Sequence, residues 1–171
     1  MQDESLIKAS LERLETALAT RSSFGHDTTR TCAELGDGFR TLCREGETEW
    51  VADMPTGVGG TQAGPTPGVY GRTALSSCIV MGIRIAAERR GVRLRAVTAD
   101  LSMDWDSRGL FGMGDASPGP SNIAVKLHLD SDASEKELNE IVAEGMRHSP
   151  WVIALTQPHR VTTSVTLSAR T

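Results

Sequence analysis

The chain has 171 residues, 39% of them hydrophobic and 23% charged, which is typical of one globular domain with a substantial core. Its formal net charge of −4 argues against nucleic acid as a partner bound through bulk electrostatics. No apolar run approaches the ~18 residues of a membrane span, and the N-terminus has acidic residues where a signal peptide has an apolar segment.

The N-terminal segment is predicted to be an amphipathic helix over residues 3–20, followed by a connector over residues 22–27. Aliphatic residues recur in it at helical spacing, with charged residues between them. These aliphatic residues are Ile7, Leu11, Leu14 and Leu18. Such a helix needs an apolar surface to cover, on its own chain or on a partner.

Two strands are predicted next, over residues 28–35 and 39–54. Asp37-Gly38 lies between them, and Asp-Gly between two strand-like runs is a strong hairpin signal. With Asp37 and Gly38 as a two-residue loop, the predicted register pairs Cys32 with Cys43.

Cys32 and Cys43 would form a hydrogen-bonded pair in that register, which separates the Cα atoms widely and suits a disulfide poorly. Three cysteines are an odd number, have no metal-like spacing and fit a reducing compartment. We therefore predict two reduced thiols here and a cytoplasmic protein. A redox-active Cys32–Cys43 pair is the alternative.

Residues 55–67 are rich in glycine and proline and are predicted to be a loop. A phosphate-binding loop is not predicted, because no Gly-Lys-Ser/Thr occurs there. Gln62 also stands where a dinucleotide-binding fingerprint needs glycine.

A helix over residues 68–91 is the centre of the predicted fold, with Pro67 before its first turn and Gly91 at a capping position. Residues 79–87 are apolar almost all round, so the helix is predicted to be buried. Small residues surround Cys78 and would let another segment approach its sulfur. They are Gly71, Ala74, Ser77 and Gly82. An inert buried thiol is the simpler interpretation of Cys78.

Strands over residues 92–105 and 122–129 are predicted to form a second hairpin around a long loop, residues 106–120. The aspartates of this region lack the spacing of a calcium-binding loop, so we expect a solvated edge instead.

The last part of the chain is predicted to contain helical segments and a final strand. Ser134 and Glu137 form a capping box for a helix that ends near Arg147. Residues 151–155 continue as an apolar segment, and residues 160–168 alternate like a strand.

Strands that occur in pairs, without a β-α-β rhythm, favour an α+β fold with a mainly antiparallel sheet. An almost wholly apolar central helix is hard to cover within one such chain. We therefore predict a homodimer that shares its core around this long helix.

Three segments have a distinctive order and spacing. They are Gly60-Thr61 with Gly64-Pro65-Thr66-Pro67, then Ala74-Leu75-Ser76-Ser77-Cys78, then His148-Ser149-Pro150 after the last long helix. Through them, residues 28–167 resemble the OsmC/Ohr family, the osmotically inducible and organic-hydroperoxide-resistance proteins. The resemblance implies an OsmC-like domain over residues 28–171 in an intertwined homodimer, with the helix and connector of residues 1–27 outside it.

The resemblance also implies a function in oxidative-stress defence. Many family members reduce organic hydroperoxides through a reactive thiolate at the position of Cys78. A family arginine assists that thiolate, and Arg40 is its best match. An external dithiol would be the reductant, and no metal or cofactor is expected.

Two residues depart from the family pattern. Ser149 occupies the position of the second, resolving cysteine, so the usual intramolecular disulfide cannot form. Gly68 occupies a position where organic-hydroperoxide-resistance members have Glu.

The residues themselves set a condition on any thiol chemistry. The thiolate is the nucleophile, and a free thiol is only a few per cent ionised at neutral pH. Cys78 is too far into its helix for the helix dipole to help much, so a nearby cation is required. Arg40 is the candidate and Arg72 the second choice. The chain is then either a thiol peroxidase for alkyl or lipid hydroperoxides, or a protein that binds a small apolar or electrophilic ligand without turnover.

Overall fold

The computed structural model describes residues 4–167. Within this range the helices and strands follow one another in a fixed order. They are α1 (Glu4–Thr20), β1 (Cys32–Leu35), β2 (Thr41–Glu45), β3 (Thr48–Ala52), α2 (Pro67–Arg90), β4 (Ala96–Asp104), α3 (Ser107–Leu110), β5 (Asn122–Asp130), α4 (Glu135–Arg147) and α5 (Pro150–Thr156). The strands pair antiparallel in two sheets, β1-β2-β3 and β4-β5. The predicted mixture of helices and antiparallel strands is confirmed.

Helix α2 is the element on which the core is built. Pro67 occupies its first turn, and Gly91 ends it in a left-handed conformation, with φ of 68°, where its N–H reaches the Glu88 carbonyl. One face of α2 is buried against α4 and the β4-β5 hairpin. The buried core residues are Leu75, Ile79, Ile83, Ala86, Ala87, Leu94 and Ile141. Met81, on another face of α2, is 64% exposed, so this chain covers the helix on one side only.

The β4-β5 hairpin supplies the other wall of the core, because its residues alternate strictly between half-buried and exposed. The half-buried apolar residues that pack on the core are Val97, Leu101, Met103, Ile123, Val125, Leu127 and Leu129. The opposite face carries polar residues such as Asp100 and Lys126 and lies at the surface.

The predicted register of the first hairpin is wrong by one residue. Cys43 pairs with Ala33, and Cys32 pairs with Arg44. The Gly36 N–H bonds the Arg40 carbonyl across the turn, so the turn has three residues, Asp37, Gly38 and Phe39. A two-residue loop was therefore the wrong assumption, and Cys32 and Cys43 lie on opposite faces of the sheet.

The strand predicted over residues 39–54 is two strands, β2 and β3. A tight turn at Gly46-Glu47 reverses the chain, so that Glu45 pairs with Thr48. Gly46 has a φ of +56°, a left-handed conformation that glycine adopts without steric cost.

The strand predicted over residues 160–168 is also wrong for the residues described. Residues 158–167 belong to no helix or strand, and residue 168 lies outside the described range. Val161, Val165 and Leu167 are 88%, 79% and 87% exposed, because no strand within residues 4–167 pairs with the segment. The loop over 106–120 contains the short helix α3, opened by a hydrogen bond from the Arg108 N–H to the Asp106 carboxylate.

None of the helices within residues 4–167 combines the length and the apolar character that crossing a bilayer requires.

Candidate functional site

Cys78 lies in the middle of α2, half-buried, and its sulfur is in contact with the side chain of Ser149. The Ser149 hydroxyl donates to Cys78 Sγ at an Oγ–Sγ distance of 3.3 Å. Ser149 is 1% exposed, so this contact is made away from bulk water. The two positions singled out in the sequence, 71 residues apart, meet in the folded chain.

Ser149 is held firmly from several directions. It is the N-cap of α5, and its Oγ accepts a hydrogen bond from the Val152 N–H at 3.4 Å. Its backbone N–H bonds the Met146 carbonyl, and its own carbonyl accepts from the Ile153 N–H. With the backbone satisfied and one lone pair used by Val152, the hydroxyl proton is directed at the sulfur.

The close crossing of α2 and α4 explains why Cys78 and Ser149 meet. Gly82 and Gly145 lie at the crossing, where a Cβ on Gly145 would be 2.7 Å from the backbone nitrogen of Ile83. Cys78 is one turn before Gly82, and Ser149 is one turn beyond Gly145. The two glycines bring the helices close enough for the serine at the end of α4 to reach the cysteine.

An apolar cavity of about 180 Å³ lies beside the Cys78–Ser149 pair. Its lining comes from α2, β5, α4 and α5. The lining residues are Leu75, Ile79, Ile123, Val125, Met146, Val152, Leu155 and Thr156. Cys78 and Ser149 are not themselves lining residues. Leu75 and Ile79, on the same helix as Cys78, and Val152, which donates to Ser149, do line the cavity.

The two candidate arginines lie elsewhere in this single chain. Arg40 is exposed in the turn between β1 and β2, and its backbone bonds Gly36 and Asp37. Arg72 is half-buried, and its guanidinium folds back toward Gly68 at the start of α2, away from the sulfur. Among the described residues, the polar partner of Cys78 is therefore Ser149, a contact that no spacing in the sequence reveals.

Cys32 and Cys43 are both free thiols. Cys32 is exposed on β1 and Cys43 is half-buried on β2, and their opposite faces argue against the redox pair considered from the sequence.

Asp53 organises the loop that leads into α2, and sequence reasoning missed it. Its carboxylate is 1% exposed and accepts from the Thr61 hydroxyl and from the N–H groups of Met54, Thr61 and Ala63. The Thr61 hydroxyl, followed by the Ala63 N–H, lowers the pKa of Asp53 to about 2. An acidic residue at the end of a strand, followed by a Gly- and Thr-rich loop, was the available signal.

Gly60 and Gly64 have no room for a side chain in this loop. A Cβ on Gly60 would lie 1.8 Å from the Met54 carbonyl oxygen, and one on Gly64 would lie 2.1 Å from the Val51 carbonyl oxygen. Tyr70 also donates to the Val51 carbonyl at 2.7 Å. The Gly- and Pro-rich segment thus fixes the first turn of α2 against β3.

No group of three or more His, Cys, Asp or Glu side chains within residues 4–167 has an arrangement that could hold a metal ion.

A family model described as OsmC-like protein matches residues 59–164, which is more than half of the chain. The chain belongs to the OsmC-like protein family. The match contains α2 with Cys78, the β4-β5 hairpin, and α4 running into Ser149.

Solved structures of OsmC-like and organic hydroperoxide resistance proteins share this fold. An OsmC-like protein from Mycoplasma pneumoniae is 15% identical, with a TM-score of 0.64 over 75% of this chain and 87% of that one. An organic hydroperoxide resistance protein OsmC from Legionella pneumophila is 18% identical, with a TM-score of 0.58 over 76% and 90%. The organic hydroperoxide resistance protein OhrB of Bacillus subtilis is 17% identical, with a TM-score of 0.51 over 76% and 91%. At these identities the likeness is one of fold, and a search of curated proteins found no significant match.

Proposed function

We propose that this OsmC-like protein reduces organic hydroperoxides through Cys78 and serves in defence against oxidative stress. The observation that carries the proposal is the half-buried Cys78 thiol, hydrogen-bonded to Ser149, with an apolar cavity lined by neighbours of both residues. An apolar cavity favours the alkyl part of an organic hydroperoxide over hydrogen peroxide. Two of the similar structures are named organic hydroperoxide resistance proteins, which supports the same substrate class.

The first step is attack of the Cys78 thiolate on the terminal peroxide oxygen. A sulfur–oxygen bond forms and the oxygen–oxygen bond breaks. The sulfur loses two electrons and becomes a sulfenic acid. The peroxide gains these electrons and leaves as an alkoxide, which takes a proton from water to give the alcohol.

The sulfenic acid must then be reduced by a thiol from outside the chain, because Ser149 offers oxygen instead of sulfur. One thiol of a dithiol reductant condenses with the sulfenic acid, giving a mixed disulfide and water. The second thiol displaces Cys78 and leaves as the oxidised reductant. Excess peroxide competes with this step and converts the sulfenic acid to the sulfinic form.

We also propose that the protein is a cytoplasmic homodimer, in which residues 1–27 are appended to an OsmC-like domain over residues 28–171. In that dimer, Arg40 is the cation that assists the thiolate. Arg40 lies at the tip of an exposed hairpin, and the β1 strand has no buried residue. A second copy would cover this hairpin and could bring the guanidinium of one copy to a thiol.

The test is consumption of an alkyl hydroperoxide in the presence of a small dithiol. Cys78→Ser should abolish consumption, whereas Cys32→Ser and Cys43→Ser should retain most of it, because Cys78 is the cysteine whose neighbours on α2, Leu75 and Ile79, line the cavity. Arg40→Met should leave the protein folded and slow the alkylation of Cys78 at neutral pH. Equal loss in all three cysteine variants would move the redox centre to the first hairpin and contradict the proposal.

A binding protein without turnover is the second candidate, and Ser149 is the observation that favours it. Without a thiol at position 149, Cys78 cannot form the usual internal disulfide after oxidation. Tight binding of small apolar or electrophilic compounds, together with no hydroperoxide consumption by the parent protein under any dithiol, would establish this alternative.

A further inference from the structure

We propose that the Ser149 hydroxyl is the hydrogen-bond donor that holds Cys78 as a thiolate. Ser149 replaces the resolving cysteine of the family pattern, and in this proposal it also has a role of its own, because it acts directly on the reacting sulfur. The inference rests on the proposed function, in which Cys78 is the reactive thiol, and it names the group in this chain that activates it.

Among the described residues, the Ser149 hydroxyl proton has one hydrogen-bond acceptor, the sulfur of Cys78. The hydroxyl oxygen already accepts from the Val152 N–H at 3.4 Å, so this side of the oxygen is occupied. Its proton points to Cys78 Sγ at 3.3 Å. Because Ser149 is 1% exposed, water does not compete for this hydrogen bond.

A hydrogen bond to sulfur favours the charged form over the neutral one, because a thiolate is a far stronger acceptor than a thiol. The capping bond from Val152 polarises the hydroxyl in the same direction, since an oxygen that accepts one bond donates a stronger one. The proton stays on oxygen throughout, so the contact stabilises the thiolate without consuming a reactant.

The donor is also rigidly placed. Ser149 follows Gly145 by one turn and Cys78 precedes Gly82 by one turn, and backbone contacts at the two glycines fix the distance between α2 and α4. Two arginines of α2, Arg72 and Arg84, are each six residues from Cys78. Arg72 turns toward Gly68, and Arg84 pairs with Glu88 and donates to the Leu94 carbonyl. Among the described residues, Ser149 is the donor that the structure places on the sulfur.

The experiment measures the alkylation rate of Cys78 by iodoacetamide from pH 5 to pH 10, in a Cys32→Ser/Cys43→Ser background. Ser149→Ala and Ser149→Gly both remove the donor, and glycine is nearly as good an N-cap as serine. Both should move the midpoint of the pH–rate curve upward by about one pH unit and slow alkylation at pH 7 by up to about tenfold. The rate on the high-pH plateau should stay the same or rise, because a more basic thiolate is a better nucleophile.

Ser134→Ala is the matched control. Ser134 is the N-cap of α4, where its hydroxyl accepts from the Glu137 N–H at 3.3 Å without touching a sulfur. It should weaken the fold to a similar extent and leave the alkylation midpoint in place.

An unchanged midpoint in folded Ser149→Ala and Ser149→Gly, or an equal shift in Ser134→Ala, would overturn the inference and leave Ser149 as a helix cap. Hydroperoxide consumption by the parent protein is measured separately. If the midpoint shifts while the parent consumes no hydroperoxide, the peroxidase proposal fails and the role of Ser149 stands.

Discussion

Asp53 is a buried carboxylate whose role is to hold a loop. Four hydrogen bonds from Met54, Thr61 and Ala63 converge on its two oxygens. They satisfy the charge inside the protein and close the loop of residues 54–66 over the end of β3. Because Pro67 then starts α2, this single side chain sets where the helix that carries Cys78 begins.

The stability of the fold should depend on the ionisation of Asp53. Its pKa is about 2 in the folded chain, below the ordinary 3.8, so the unfolded state binds its proton more tightly. The stabilisation is therefore fully present above about pH 4 and is lost as the pH falls toward 2. Urea unfolding from pH 7 to pH 2.5 should show a steeper acid loss in the parent protein than in Asp53→Asn.

Asp132→Asn provides the control for that measurement. The pKa of Asp132 is also lowered, chiefly by the hydrogen bond from Arg95, but its side chain is 90% exposed. Water and salt screen such a pair, so this variant should follow the parent curve closely. Parallel curves for the parent protein and Asp53→Asn below pH 4 would show that Asp53 contributes nothing to acid stability.

Among the residues, small neighbours on an apolar helix drew attention to Cys78, and the family resemblance supplied its expected role. The contact with Ser149 could not be derived from spacing, since it depends on how closely two helices pack. The Asp53 site was missed for a similar reason, because its partners are mainly backbone N–H groups, which any sequence offers.

At the scale of the helices, the packing of α2 on α4 depends on two residues that have no side chain. A Cβ on Gly82 would lie 3.0 Å from the Gly145 carbonyl oxygen, and one on Gly145 would meet backbone atoms of Gly82 and Ile83 at 2.7–2.9 Å. Backbone atoms cannot rotate away as a flexible side chain can. The helices would have to separate to accept a larger residue.

Gly145→Ala should therefore destabilise the protein, by about 1–3 kcal/mol, the usual cost of forcing atoms into a well-packed site. The overlap outweighs the gain of up to ~1 kcal/mol that alanine brings to a helix. Denaturant unfolding at fixed protein concentration gives the free energy, and alkylation of Cys78 should also change, because Ser149 moves with α4.

Gly71→Ala is the matched control on α2, where a Cβ meets no atom within 4 Å. This variant should gain about 0.5–1 kcal/mol of stability from helix propensity alone. A Gly145→Ala protein as stable as Gly71→Ala would mean that the helix crossing has room to spare.

The helices and the second hairpin could be predicted because their signals are local. Ser134 marks the start of α4, and the alternation of residues 122–129 matches β5 closely, whereas the start of α5 at Pro150 was not predicted. The first hairpin was harder, since one additional turn residue shifts every pair by one position and puts Cys32 and Cys43 on opposite faces of the sheet. The turn at Gly46-Glu47 was overlooked inside a run that was otherwise strand-like.

At the scale of the whole molecule, a single chain leaves much apolar surface uncovered. Large apolar side chains are exposed on the first hairpin, on α2, on α5 and in residues 158–167. On these four segments they include Leu35, Met81, Trp151, Leu155, Val161, Val165 and Leu167. The alternating pattern that predicted a strand over 160–168 is present, but within the described residues that segment has no neighbour to pair with. Free strand edges and apolar patches of this kind mark an interface.

We therefore expect a homodimer in solution, with residues 161–167 in its interface. Val165 is 79% exposed in the single chain, so changing it would cost a monomer almost nothing. In a dimer, Val165→Asp would bury an unpaired charge and weaken association strongly, whereas Val165→Thr keeps the shape and the strand preference.

Sedimentation velocity at micromolar concentration should give twice the chain mass for the parent protein and for Val165→Thr. It should give a lower mass or aggregation for Val165→Asp. A compact monomer for the parent protein would contradict the dimer and, with it, the idea that a second copy brings Arg40 to a thiol.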